Sequence, residues 1–217
     1  RASHPYFFNR EGRIPGELIR KMVVKGAPLL VNEVLWSSGM SALSIAFSLH
    51  GLDVVAAYSI SSTVTNLFSV AFLAMGVSIG IIVGQNLGAM KYRTAIGNVR
   101  KLFMFTTLLS TGIGIVMFFC GHFICGFYNT TDTVKDLAAY LIRVYAFVMP
   151  LHALTNASYF TLRSGGKTMI TFLFDSGSVW FLMVPGAYAL FYLAHLNIHA
   201  LYPAVMGLEI LKVVFGL

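Results

Sequence analysis

Charge is scarce in this chain. Asp, Glu, Lys and Arg make up 11% of its 217 residues against 57% hydrophobic, and the mean hydropathy is +0.78. A soluble domain of this length could not hide that much apolar surface in one core, so lipid must be part of its solvent. Cysteine is nearly absent. Cys120 and Cys125 share one apolar run and support neither a disulfide framework nor a four-ligand zinc site, which leaves core packing as their expected role. No Walker loop occurs, and no nucleophile stands beside a base, so no catalytic residues are expected. "HLNIH" puts His195 and His199 at metal-ligand spacing in a connector, but no acidic third ligand is near, and no metal site is expected. A signal peptide is also missing. The chain opens on Arg1 and stops at Leu217 inside an apolar run, which reads as a piece of a longer protein.

Long apolar runs are present instead. A spanning helix needs about 20 mostly apolar residues, and five stretches qualify: 27–49, 54–86, 102–127, 137–162 and 168–194, with a truncated sixth at 201–217. They are too long and alternate too little for a barrel, so the expectation is an all-α membrane protein, a six-helix transmembrane bundle over 27–217. Residues 1–26 read as a cytoplasmic linker, in which Pro15 opens an amphipathic stretch whose Arg20, Lys21 and Lys25 could meet anionic headgroups.

The connectors differ in charge. Arg1, Arg10, Arg13, Arg20, Lys21, Lys25, Lys91, Arg93, Arg100, Lys101, Arg163 and Lys167 fall on one side, and Lys135 alone on the other. The positive-inside rule therefore puts both chain ends in the cytoplasm. Basic residues spaced between apolar runs point to membrane orientation and not to nucleic acid.

Counting about 1.5 Å per residue, Glu33, His152, Asp175 and Glu209 all fall near mid-bilayer, where transporters bind cargo and coupling ions. Polar residues accompany them at helical spacing. Glu33, Ser37, Ser41, Ser44 and Ser48 form one stripe, Tyr145, Met149, His152, Asn156 and Tyr159 a second, and Ser59, Thr63 and Asn66 a third. Most of the Ser and Thr residues are expected to bond preceding carbonyls or pack. Glu209 has Lys212 three residues on, so a local ion pair explains it about as well as a functional role does. Glu33 lacks an obvious local partner, which favours a functional role, as it does less strongly for Asp175. Pro28, Pro150 and Pro185 each free a backbone carbonyl within a span, and Gly76, Gly80, Gly84 and Gly88 form a small-residue stripe suited to close helix packing.

"APLLVNEVLWSSG", "VAAYSISSTVTNLFSV", "IVGQNLGAMKYRTA", "YFTLRSGGKT" and "FLFDSGSVW", in that order and followed by "VP", resemble the carboxy-terminal half of a multidrug and toxic compound extrusion (MATE) transporter. The resemblance covers nearly the whole chain. It implies one lobe of a twelve-helix antiporter in a bacterial plasma membrane, with the amino-terminal six-helix lobe missing. It further implies export of cationic amphipathic compounds against an inward flow of H+ or Na+, with no other cofactor. On this pattern Glu33 matches a cavity-facing acid, and Asp175, His152, Asn156, Asn66, Thr63, Ser37 and Tyr159 complete the expected cation and substrate site. His152 falls where the sodium-coupled branch carries an aspartate, which departs from that branch and leaves the coupling ion open.

Two other readings stand beside this one. A lipid-linked oligosaccharide flippase of the same superfamily needs several cavity cations, and the count offers only Lys212 at mid-depth. A membrane-embedded metalloenzyme would use His195, His199 and His50 at the outer rim, without the acid that zinc usually requires.

Overall fold

The computed structural model describes residues 16–166 and 168–208, and all regular structure among them is helical. The linker residues 1–15, Lys167, Glu209 and Lys212 lie outside the described residues. Helices α1 (Gly16–Ser48), α2 (Leu52–Gly88), α3 (Tyr92–Gly126) and α4 (Asp132–Ser164) hold 33, 37, 35 and 33 residues. The fifth apolar stretch is broken into α5 (Thr168–Phe172), two π-helical turns (Leu173–Gly177 and Val179–Met183) and α6 (Val184–Tyr192). Helix α7 (Ile198–Gly207) opens the sixth stretch.

Five segments among the described residues are long and apolar enough to cross a membrane, namely α1 to α4 and Met169–Tyr192. The chain is thus an all-α, multi-pass bundle with the architecture of one lobe of a twelve-helix transporter. Each long helix, at about 1.5 Å per residue, outreaches a hydrocarbon core about 30 Å thick. The helices therefore absorb residues that hydropathy assigned to connectors. Arg93, Arg100 and Lys101 lie on α3, and the turn before it is only 89–91. Helix α1 likewise begins at Gly16 and runs unbroken through Pro28 into the first span. Gly51 (φ +112°) and Gly166 (φ +76°) take up turn conformations that a Cβ disfavours.

Helix α4 is the centre. It packs along α2 and α3, which also touch each other, while α1 leans mainly on the broken fifth span. Small residues set the closeness. A Cβ added at Gly114 would lie 2.8 Å from the Ala146 carbonyl oxygen, and one at Gly121 would lie 2.7 Å from Ile142. One at Gly76 would overlap the Asn156 side chain. The glycine stripe is a packing face at Gly76, Gly80 and Gly84, but Gly88 faces open space. Leu141, Ile142, Met149 and Met117 are fully buried in this seam. In lipid such contacts stabilise by dispersion and close fit, because the tails outside are as apolar as the side chains. Hydroxyls on these helices satisfy themselves locally: Ser78, Thr107, Thr155 and Thr161 each donate to the carbonyl four residues back. Cys125 is buried and Cys120 half-buried on α3, both as free thiols.

Candidate functional site

One helix step separates two residues with different tasks. Asn32, 3% exposed, faces the fifth span, whereas Glu33 next to it is exposed. An amide buried in a span must find partners there, and Asn32 finds three. Its Nδ2 donates to Asp175 Oδ2 at 2.9 Å and to the Tyr159 hydroxyl at 3.5 Å, and its Oδ1 accepts from Ser176 Oγ at 2.7 Å. Ser176 Oγ also lies 2.8 Å from the Asn32 carbonyl oxygen. Asp175 and Ser176 stand on the first π-helical turn, a wide turn of the kind found at functional sites.

Tyr159 on α4 is the hub. Its hydroxyl donates to Glu33 Oε1 at 3.4 Å and accepts from Arg163 Nη1 at 3.3 Å and from Asn32. One donor and two acceptor positions are all that a phenol offers, and all are in use. Arg163, one turn further along α4, reaches Glu33 directly at 3.7 Å. Two more contacts fasten α1 to the fifth span: Trp180 Nε1 donates to the Leu35 carbonyl at 2.8 Å, and Gly39 leaves room for Val179.

The structure therefore brings together Glu33, Tyr159 and Asp175 among the expected site residues. It adds Asn32, Ser176 and Arg163, which the sequence reading overlooked. It also corrects that reading on two points. The partner of Glu33 is distant in sequence and not local, and Arg163, read as a connector charge, is a cation at the site's depth. The expected single layer of ionisable groups also divides. His152 lies seven residues before Tyr159, about 10 Å along the helix at 1.5 Å per residue. Its ring stacks on Tyr145 (4.9 Å between centroids), whose hydroxyl shares a hydrogen bond with Ser69 of α2. Asn156 lies in the same α2–α4 seam against Gly76, and its Oδ1 is buried with no hydrogen-bond partner among the described residues. Ser37 is exposed one turn beyond Glu33; Thr63 and Asn66 are exposed on α2, Thr63 donating to the Ser59 carbonyl at 2.9 Å.

Elsewhere the histidines of the α1–α2 turn and of α7 offer little for metal chemistry. The His50 nitrogens face the carbonyl oxygens of Phe47 and Leu196 at 3.2 and 3.0 Å, and His199 meets the Tyr140 ring edge-on. No group of three His, Cys, Asp or Glu side chains able to hold a metal occurs among the described residues. A groove of about 730 Å3 between α2 and α3, lined by Leu67, Phe68, Leu108 and other apolar residues, suits acyl chains more than a charged ligand.

A family model described as MatE matches residues 28–189. The chain is 20% identical over 220 residues to the probable multidrug resistance protein YoeA of Bacillus subtilis, covering 98% of this chain and 48% of that protein. It is 25% identical over 174 residues to the probable multidrug resistance protein NorM of Listeria innocua, covering 79% and 38%. The chain thus spans about half the length, or less, of these relatives. Its fold matches a solved MOP superfamily transporter from Pyrococcus furiosus with a TM-score of 0.78 at 17% identity, covering 91% of this chain and 44% of that one. That transporter's binding pocket is described as having reverse polarity, suggesting a different function.

Proposed function

Because this chain belongs to the MatE family of membrane transporters, we propose that it is the carboxy-terminal lobe of a cation-coupled multidrug efflux antiporter. Its partner is an amino-terminal six-helix lobe. The two rock against each other in a bacterial plasma membrane, with both ends of this lobe in the cytoplasm. The cargo is a cationic amphipathic compound, and the coupling ion is H+ or Na+.

The observation that carries this reading is the hydrogen-bonded path from an accessible acid to a deformable helix. Glu33 is exposed, and through Tyr159 and Asn32 it is joined to Asp175 and Ser176 on the π-helical turn. A carboxylate attracts a cationic cargo. Binding of a proton or sodium ion would remove that attraction and weaken the acceptor that Tyr159 donates to. The change is felt at the fifth span because the Tyr159 hydroxyl and both N–H groups of the Asn32 amide are already engaged. Among the described residues of the cluster two carboxylates, Glu33 and Asp175, accompany one guanidinium, which favours a cation over an anion. Ser37 and the exposed Thr63 and Asn66 would extend the lining toward the second lobe, and His152 would sense protons from within the α2–α4 seam.

Efflux from vesicles with imposed sodium or proton gradients, run on the full-length protein, tests the reading. Glu33→Gln is expected to abolish cation-driven efflux while expression stays normal. Undiminished efflux by that variant would remove Glu33 from the mechanism.

A further inference from the structure

The Glu33 carboxylate already has an organic cation beside it, and that cation is part of the chain. Arg163 places its guanidinium 3.7 Å from Glu33 Oε1. The same group stands 5.9 Å from the centre of the Tyr159 ring and 6.0 Å from that of Phe160. A carboxylate flanked by aromatic rings is the environment that holds a delocalised organic cation, by Coulomb attraction together with attraction to the ring faces. Both side chains remain accessible, Glu33 at 57% and Arg163 at 33%. The pair is also loose. Its direct distance exceeds hydrogen-bond range, and Tyr159 bridges it with bonds of 3.3 and 3.4 Å. A buried, tight bidentate pair would resist exchange, whereas an open and bridged one can be opened at small cost.

We propose that Arg163 is a tethered substitute for the cargo, holding the cation seat at Glu33 whenever that seat is empty and leaving when an organic cation arrives. This rests on the antiporter reading and names the competitor at its binding step. The consequence is twofold. Glu33 keeps a charged partner when cargo departs. Cargo release is also a displacement, because the returning guanidinium takes the place of the departing cation. Long flexible side chains suit this task, since Arg163 can swing to the cytoplasmic end of α4, where a cation also meets the negative end of the helix dipole.

The test is equilibrium binding of tetraphenylphosphonium to the purified full-length protein. Removing a competitor bound by an accessible ion pair, worth up to about 1 kcal/mol, tightens binding by up to about fivefold. Arg163→Gln is therefore expected to bind the probe several-fold more tightly than the wild type, and Arg163→Lys to stay near wild-type affinity. The gain must vanish in Arg163→Gln combined with Glu33→Gln. Stopped-flow release from Arg163→Gln is expected to be slower by the same factor. Equal or weaker probe binding by a folded Arg163→Gln protein, with the wild type binding normally, overturns the substitute role alone. A wild type that does not bind the probe overturns the antiporter reading and this inference together.

Discussion

Helices α2, α3 and α4 hold one another through shape, whereas α1 and the fifth span hold one another through hydrogen bonds. In the first group, glycines let backbones approach until an added Cβ at Gly114 would press on a carbonyl oxygen, and most hydroxyls bond within their own helices, the Ser69–Tyr145 bond being one that crosses. In the second, Asn32, Ser176, Trp180 and Tyr159 cross between elements, and the span they grip contains two π-helical turns. The difference separates support from response. A close-packed seam has one good arrangement, while a polar seam can exchange partners when a charge beside it changes.

The largest effect is expected where shape is violated. Gly114→Val forces α3 and α4 apart at a backbone contact, and a loss of about 3 kcal/mol or more is expected. Thermal melting and the yield of monodisperse protein check it. Gly84→Ala is the control, because a Cβ there meets only Ser164 at 3.9 Å, and its melting should be unchanged. Asn32→Leu comes next. It removes the amide shared by Asp175, Tyr159 and Ser176, at about 2 kcal/mol. The damage should be local: hydrogen exchange should quicken over 168–183 while α2 to α4 keep their protection. Trp180→Phe should do the same more weakly, since it loses one bond to the Leu35 carbonyl worth about 1 kcal/mol. Equal quickening in both groups would erase the distinction between them.

The bundle was largely legible because lipid imposes a simple demand: apolar length and backbone self-satisfaction define a span. Boundaries were harder. Hydropathy ends where the hydrocarbon does, but α3 continues through Arg93 and Arg100 beyond it. In the site, Glu33, Tyr159 and Asp175 stood out as polar groups in apolar runs. Asn32 carried the same signal and was overlooked beside its charged neighbour. Arg163 was hidden for a different reason. Its position in the last turn of α4 fits a connector charge, and only the side-chain contact with Glu33 of α1 shows where its guanidinium reaches. His152 and Asn156 show the opposite error. Helical spacing put them on the Tyr159 stripe, yet over two turns the stripe passes from the α1 seam into the α2 seam.

The π-helical turns of the fifth span also bear on how this segment tolerates change in length. A π turn carries one residue more than the α turn it replaces, so the span has slack built into it. Losing a residue between 173 and 183 could be absorbed by tightening a turn, leaving the directions of α5 and α6 as they were. The same loss in α2 would rotate every following side chain by about 100° and undo its fit to α4. Deletions accumulating over generations should therefore gather in the span bonded to Asn32, and spare α2, α3 and α4.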